Sequence, residues 1–243
     1  MGPKVSIIIP FYNCAFVDQA IESALNQTYE NIEVVVVDDG STSHTAKIES
    51  FKEKIVYIRK ENGGTATAIN TGLFVATGEY IAWLSSDDYF VPEKISKQLN
   101  FMTQKNIDAS FTNFDYINKD NEVLIPWCCK RFSSLEEVYN AYLTYNAING
   151  CTILIKKKIF DEIGIFSPDF RYTQDYEMWF RMLVNGYEIH YYDEALTKFR
   201  SHEHSGTSRY QNEMREEMKT IEFHYRPLPQ KYISKSKSHP SQD

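Results

Sequence analysis

The chain has 243 residues, 42% of them hydrophobic, and a formal net charge of −7, which allows one large globular domain or two small ones. An acidic chain lacks the basic surface that binds phosphate backbones, which argues against a general nucleic-acid binder. No apolar run reaches the ~18 residues of a membrane-spanning helix, and the first strand-like run is too short for the core of a signal peptide. We therefore expect a cytoplasmic protein with reduced cysteines and, at most, peripheral contact with the inner face of the membrane.

The N-terminal part of the chain alternates strand and helix patterns. The predicted strands are 5–9, 32–37, 55–58 and 80–84, and the predicted helices are 17–25 and 65–76. The strands are continuous apolar runs, which is typical of strands that are buried on both faces. The pattern predicts an α/β fold with a mainly parallel central sheet and helices on both of its faces.

The C-terminal part has shorter and more varied elements. We predict helices at 92–102, 134–144, 156–163, 176–184 and 208–224, strands at 109–114, 151–155 and 189–192, and a hairpin within 115–133. No repeat or linker divides the chain, so a single domain is expected over residues 1–225. The segment 226–243 is rich in Pro, Ser and Lys, and this composition predicts a flexible polar tail.

Polar residues follow three of the predicted parallel strands: Asn13, Asp39 and Asp87. The carboxyl ends of such strands form the ligand crevice of an α/β sheet. Asp87 and Asp88 are adjacent, and two carboxylates are costly to desolvate unless a cation or several donors lie between them. A divalent metal that carries a phosphorylated ligand would satisfy both groups. The alternative is an acidic turn that caps the following helix.

Three motifs are consistent with a nucleotide ligand. Tyr12 could stack on a base or pack onto the next helix, and Asp39 could accept from a base or a ribose or cap a helix. Gly64, at the start of a helix with small residues, permits close approach to a diphosphate. The GxGxxG and GxxxxGK[ST] patterns are absent, which disfavours a nicotinamide Rossmann enzyme and excludes a P-loop ATPase or kinase.

Together these motifs resemble one known family. The segments that carry the resemblance are 5–13, 24–28, 37–41, 70–72 and 78–88, of which the last reads Gly-Glu-Tyr-Ile-Ala-Trp-Leu-Ser-Ser-Asp-Asp. In this order they resemble family 2 inverting glycosyltransferases with the GT-A fold, of the bacterial polysaccharide and spore-coat type, over residues 4–206. The resemblance implies a nucleotide-binding half at 1–105 and an acceptor-binding half at 106–225.

The resemblance also implies a donor site and a metal site. The implied nucleotide-binding residues are Pro10, Tyr12, Asp39, Gly64, Ser86 and Asp87. Asp87 is the last residue of the family's Asp-x-Asp motif and would bind Mn²⁺ or Mg²⁺, hard cations that prefer oxygen ligands. His202, in an Arg-x-His element, would complete the metal site. Ser85 departs from the pattern, because the family more often has Asp there, and this weakens the expectation of tight metal binding.

The catalytic base that the resemblance implies is Asp175, at the head of a predicted helix. The helix dipole would favour its charged form, and the alternative is a simple helix cap. Inversion needs one base that takes the proton of the acceptor hydroxyl. Asp88, Gly150 and Trp179 are further candidates near the metal or the acceptor, although Trp179 could also pack in the core.

The sequence therefore predicts a metal-dependent inverting hexosyltransferase. It would move a sugar from a nucleotide donor, most simply a UDP-sugar, to a hydroxyl of a glycan or a lipid-linked sugar. One alternative is a sugar-nucleotide nucleotidyltransferase, which would need a Gly-rich triphosphate loop that residues 10–13 do not contain. A second alternative, suggested by Ser85, is a catalytically silent glycan-binding homologue.

Overall fold

The computed structural model describes residues 2–203, 205 and 209–225. The predicted flexible tail at 226–243 lies outside the described residues, as does the first residue of the predicted helix 208–224. Within the described part of the chain, no helix is both long and apolar enough to cross a membrane.

The first half of the chain builds the parallel side of one sheet. Its strands are β1 (Val5–Phe11), β2 (Ile32–Asp38), β3 (Val56–Arg59) and β4 (Tyr80–Trp83). They lie side by side in the order β3-β2-β1-β4, and all three pairings are parallel. The four predicted strands are confirmed to within one residue at most ends, because full burial on both faces leaves a continuous apolar run.

The second half extends the same sheet. Its strands are β5 (Tyr89–Phe90), β6 (Ala109–Ile117), β7 (Val123–Ile125), β8 (Leu154–Lys156) and β9 (His190–Arg200). The order continues from β4 through β8, β6 and β9 to β5, with β7 on β6 as the predicted hairpin. The β6–β9 pair is parallel and the other new pairs are antiparallel, so most paired residues of the sheet remain parallel.

Helices cover both faces of the sheet, as predicted. They are α1 (Val17–Leu25), α2 (Thr65–Val75), α3 (Lys94–Lys105), α4 (Leu135–Tyr142), α5 (Lys158–Ile163), α6 (Gln174–Val184) and α7 (Gln211–Tyr225), with a 3₁₀ helix at Thr45–Phe51. One core joins α1 and α3 to the first face, and a second core joins α2, α4 and α6 to the opposite face. This two-sided burial is the architecture expected of an α/β domain.

Two predicted strands differ from the structure. The predicted strand 151–155 begins instead as a 3₁₀ turn, Gly150–Thr152, because the side chain of Asn149 accepts from the backbone N–H of Cys151 at 2.9 Å. The predicted strand 189–192 continues to Arg200 in β9. Asp193 and Glu194 interrupt its apolar pattern, but the register shift between β6 and β9 accommodates them and pairing resumes at Ala195.

The side chain of Lys94, in the first turn of α3, is fully buried. Lys94 has no exposed surface, its Nζ donates to the carbonyl of Ile153 at 3.1 Å, and it lies 4.3 Å from the ring centre of Phe90. Burial lowers the pKa of Lys94 to about 7, because a low dielectric disfavours its charged form.

A Lys94→Met variant is expected to change how stability depends on pH. Between pH 7 and 10 the unfolded wild-type chain binds a proton at Lys94 that the folded chain does not, so its unfolding free energy rises with pH by up to about 1.4 kcal/mol per unit from this group. The Met variant should lack this rise. Urea unfolding at several pH values measures it, with the exposed Lys54→Met as control; parallel curves for wild type and Lys94→Met would contradict the prediction.

Candidate active site

The crevice begins at the ends of β1 and β2. Asn13 adopts a positive φ of 49°, and its side-chain oxygen accepts from the backbone N–H groups of Thr42 and Ser43 at 2.8 and 2.9 Å. Asp38 is fully buried and accepts from the backbone N–H of Ser41 at 2.7 Å. These contacts hold the turn after β2 against the end of β1. Neither supporting role was predicted, although both residues belong to motifs that the sequence singles out.

Asp39 organises the next part of the crevice. One carboxylate oxygen accepts from Lys60 Nζ at 2.6 Å and from the N–H of Gly63 at 3.0 Å. The other accepts from the N–H of Gly64 at 2.8 Å and from Asn62 Nδ2 at 3.1 Å. Asp39 is 3% exposed, and its carboxylate already has four donors. Recognition of a base edge by Asp39 therefore requires that Lys60 or Asn62 move aside.

Gly64 connects the loop after β3 to α2. It precedes the first residue of the helix with a φ of 89°, a backbone conformation that favours glycine. Pro10 is half-buried, and Tyr12 is 53% exposed at the same edge. The aromatic ring of Tyr12 is therefore accessible, and its stacking on a base stays a prediction.

The loop after β4 carries the predicted metal ligand. Cys14 Sγ donates to the carbonyl of Ser86 at 3.2 Å, which joins this loop to the end of β1. The hydroxyl of Ser85 lies 3.0 Å from the sulfur of Cys151. Ser85 is thus directed at a buried thiol.

Asp87 and His202 meet although 115 residues separate them in the chain. His202 Nε2 lies 3.0 Å from Asp87 Oδ2, and the two side chains are 16% and 24% exposed. This is a hydrogen-bond distance, so a cation held by both atoms would take the place of the direct contact. Among the described residues no group of three or more His, Cys, Asp or Glu could hold a metal. Two protein ligands fit Mg²⁺ or Mn²⁺, since Mg²⁺ usually keeps waters and binds substrate phosphates.

Asp88 is more deeply placed than its neighbour. It is 1% exposed, one oxygen accepts from the backbone N–H of Arg200 at 2.8 Å, and Oδ2 has no hydrogen-bond partner within the described part of the chain. Burial, together with the charge of Asp87, holds the pKa of Asp88 well above its usual range. Its observed contact supports the end of β9. Direct contact with the metal or acceptor stays a prediction.

Arg200 is a part of the site whose role was not predicted. It is fully buried, and its Nε donates to the carbonyl of Asp87 at 2.7 Å. Its Nη1 donates to Asn121 Oδ1 at 2.7 Å, and its Nη2 donates to Gln19 Oε1 at 2.9 Å. The guanidinium lies 4.3 Å above the ring of Phe16. One side chain therefore ties the loop after β4 to α1 and to the β6–β7 hairpin.

Asp175 lies in the first turn of α6, as predicted. Thr173 occupies the N-cap position, so Asp175 is not a simple helix cap. Its carboxylate accepts from the N–H of Tyr176 at 2.8 Å and from Asn146 Nδ2 at 3.3 Å. Burial nevertheless raises the pKa of Asp175 to about 6. Desolvation therefore outweighs the hydrogen bonds that favour the charged form.

Hydrogen bonds to α7 hold the segment that leads into α6. Glu217 of α7 accepts from the N–H groups of Arg171, Tyr172 and Thr173, each at 3.0 Å. A carboxylate with three backbone donors fixes the chain path that leads to Asp175. No motif in the sequence pointed to this contact.

Gly150 and Trp179 support the same region. A Cβ atom on Gly150 would lie 2.2 Å from Cζ3 of Trp83, and the N–H of Gly150 helps to lower the pKa of Asp175 against burial. Trp179 is 1% exposed, and its indole N–H donates to the carbonyl of Ile148 at 3.3 Å. Trp179 is thus a core residue that holds the segment leading to Gly150, and its contact with an acceptor stays a prediction.

A Gly150→Ala variant is expected to lower the unfolding free energy by about 1–3 kcal/mol, because the added methyl group meets the buried ring of Trp83. Chemical denaturation of both proteins measures the difference. Gly186→Ala is a useful comparison, since its Cβ would meet no atom within 4 Å and only the φ of 84° is strained. Equal stability of Gly150→Ala and wild type would contradict the close contact.

A mostly parallel sheet with a carboxyl-edge crevice and a partly exposed carboxylate beside it is consistent with the GT-A fold of sugar-transferring enzymes. The family model described as "Glycosyl transferase family 2" matches residues 6–164. The chain belongs to glycosyl transferase family 2, and the resemblance seen in the sequence is confirmed.

Relatives and solved structures agree with this assignment. An uncharacterized glycosyltransferase of Rickettsia prowazekii is 39% identical, with 88% of this chain and 69% of the relative covered. The Escherichia coli protein named UDP-Glc:alpha-D-GlcNAc-diphosphoundecaprenol beta-1,3-glucosyltransferase WfaP is 38% identical, with 82% and 77% covered. The structure of Staphylococcus aureus TarS 1–349 in complex with UDP-GlcNAc has a TM-score of 0.72 at 21% identity, with 95% and 71% covered, and supports the fold.

The chain spans only part of several longer proteins that it matches. It covers 36% of an uncharacterized glycosyltransferase of Rickettsia felis, to which it is 40% identical, and 43% of another Staphylococcus aureus TarS chain. The similarity therefore concerns the glycosyltransferase domain of these proteins.

Proposed function

We propose that this protein is a metal-dependent inverting glycosyltransferase that uses a UDP-sugar. The observation that carries the proposal is the contact of Asp87 with His202, 3.0 Å apart, next to a crevice built by Asp39 and Gly64. Two ligands that come from distant parts of the chain and remain partly exposed are suited to a metal that also binds the substrate.

The donor would bind across the ends of β1, β2 and β4. Tyr12 would stack on the base, as its 53% exposure allows, and Asp39 would accept from the base edge after Lys60 or Asn62 moves. The backbone at Gly64 would pass close to the diphosphate. A UDP donor is favoured by the printed name of the Escherichia coli relative and by the UDP-GlcNAc complex of TarS.

Asp87 and His202 would hold Mn²⁺ or Mg²⁺. When bound there, the metal would neutralise the charge of the departing diphosphate. Arg200 would keep Asp87 in place through its contact with the Asp87 carbonyl at 2.7 Å. Ser86, whose carbonyl accepts from Cys14, would keep the same loop against the nucleotide.

Asp175 would be the catalytic base. With a pKa near 6, its carboxylate is charged at neutral pH and still basic enough to take a proton from a hydroxyl in the transition state. The acceptor oxygen would form a bond to the anomeric carbon on the face opposite the diphosphate, while the bond between that carbon and the diphosphate oxygen breaks. The proton of the acceptor hydroxyl would go to Asp175. The configuration at the anomeric carbon is inverted as a result.

The acceptor would be a hydroxyl of a glycan or of a lipid-linked sugar. The printed name of the Escherichia coli relative specifies a sugar on diphosphoundecaprenol. A Bacillus subtilis protein, 34% identical, is named a putative teichuronic acid biosynthesis glycosyltransferase. Both names support cell-surface polysaccharide synthesis, which would occur in the cytoplasm, with peripheral contact at the inner face of the membrane if the acceptor is lipid-linked.

A screen of nucleotide sugars tests the proposal. UDP-, GDP- and CMP-linked sugars are incubated with the protein and Mn²⁺ or Mg²⁺, and release of the nucleotide is measured. We expect slow release from at least one UDP-sugar, and loss of that release in EDTA. No release from any donor, together with retained binding to glycans, would instead identify a catalytically silent homologue.

A further inference from the structure

A groove of about 380 Å³ lies along α1, next to two side chains that Arg200 contacts, and no role described above uses it. Its polar and aromatic lining includes Gln19, Glu22, Asn26, Tyr89 and Asn121. The volume falls in the lower part of the range of about 300–1,000 Å³ that small-molecule sites occupy. We call it the α1 groove.

Arg200 orients two amides at this groove. Its Nη2 donates to Gln19 Oε1 at 2.9 Å, and its Nη1 donates to Asn121 Oδ1 at 2.7 Å. A guanidinium can only donate, so the amide oxygens must face it and the NH₂ groups must be on the other side. Within the described part of the chain, neither NH₂ group has a protein partner. Both amides therefore offer fixed donors at the groove.

Hydrogen-bond acceptors for a ligand in the groove come from the end of α1, the helix that contains Gln19. Glu22 follows Gln19 at i+3 on one face of α1, and Asn26 follows as the C-cap residue of that helix. Among the described residues, the side chains of Glu22 and Asn26 make no hydrogen bond or ion pair. A carboxylate and an amide thus accompany the two oriented donors.

The rest of the lining is apolar. Tyr89 is half-buried, and Phe90 and Pro92 continue the wall. Aromatic and proline carbon surface next to planar hydrogen-bonding groups matches a pyranose, which has one C–H face and a rim of hydroxyls. An anion is disfavoured by Glu22 and because the guanidinium of Arg200 already has carbonyl and amide partners.

We propose that the α1 groove binds a neutral sugar unit of the acceptor glycan, away from the reacting hydroxyl. The proposal rests on the proposed function in taking a glycan as the source of that sugar. Arg200 also donates to the carbonyl of Asp87 at 2.7 Å. A sugar bound to Gln19 and Asn121 would therefore contact two side chains that are hydrogen-bonded to the same guanidinium as Asp87.

Saturation-transfer NMR tests the groove directly. The full chain, in EDTA and without nucleotide, is mixed with the methyl glycosides of glucose, galactose, mannose and N-acetylglucosamine. We expect transfer from the protein to the ring protons of at least one glycoside. Asn26→Trp, which fills the groove, should abolish the signal, and Glu22→Ala should weaken binding by about tenfold through the lost charged hydrogen bond. The exposed Glu30→Ala, outside the lining, is the control.

The outcomes separate the two proposals. A wild-type protein that gives no signal with any glycoside, or a signal that survives in both Asn26→Trp and Glu22→Ala, overturns the groove. Thermal melts of both variants show whether they are folded, and Glu22→Ala alone decides the question if Asn26→Trp is not. A groove signal in a protein that releases no nucleotide would refute the proposed function and leave the groove standing.

Discussion

Replacing Asp175 with Asn is expected to lower kcat for sugar transfer by about 10²–10⁴-fold, the usual contribution of a general base. Asn is nearly isosteric with Asp but cannot take the proton of the acceptor hydroxyl. The KM for the donor should stay the same, because the contacts of Asp175 are with Asn146, Gly150 and Tyr176 rather than with the nucleotide crevice. Initial rates with donor and acceptor varied separately measure both quantities.

The pH profile provides a second measure of the same residue. Below pH 6 Asp175 is protonated and cannot act as a base, so kcat for the wild type should rise through pH 6 and then level off. The Asn variant should lack that rise.

Stability separates this loss of activity from unfolding. The pKa of Asp175 is raised in the folded state, so between pH 4 and 6 the folded chain binds more protons than the unfolded chain, and this group lowers stability as pH rises. Asp175→Asn should therefore be at least as stable as wild type at pH 7. Asp161→Asn, exposed on α5, is the matched control. A variant with normal kcat would show that another group is the base.

An Asp87→Ala substitution is expected to remove metal binding and to lower kcat/KM by roughly 10²–10³-fold, equivalent to the loss of about 3–4 kcal/mol of transition-state stabilisation. The reason is that His202 would be left as the only predicted protein ligand. Binding of Mn²⁺ followed by electron paramagnetic resonance measures the first effect without reference to activity, and rates over a range of metal concentrations measure the second.

The control for this substitution is Asp120→Ala, an exposed carboxylate in the turn between β6 and β7. It should bind metal and transfer sugar as wild type does. Full wild-type activity in EDTA, or unchanged Mn²⁺ binding by Asp87→Ala, would contradict the assignment of Asp87 as a metal ligand.

The fold was predictable where the burial of a strand is visible in its own sequence. The first four strands are buried on both faces, so each is an uninterrupted apolar run that needs no knowledge of its partners. The end of β9 was missed because Asp193 and Glu194 break its pattern. Only the register shift against β6, which the sequence does not show, explains how the strand continues.

The site was predictable in part. Asp87 and His202 came from the order of motifs, and the structure brings them together. Ser85 departs from the family pattern, and its hydroxyl lies 3.0 Å from the sulfur of Cys151. Arg200 belongs to the Arg-x-His element that the sequence shows. The groups that it joins come from the loop after β4, a helix and a hairpin, and no local sequence pattern encodes such contacts.

The sequence by itself determined the family, the alternation of strands and helices, and the residue types at the carboxyl edge, because each of these depends on neighbours along the chain. The tertiary structure decided the charge properties and the supports of the site. Asp175 has a raised pKa, Asp88 is buried beside Arg200, and the carboxylate of Asp39 already accepts four hydrogen bonds. Desolvation and hydrogen bonding depend on which distant segments pack around a group, and only the folded chain specifies that packing.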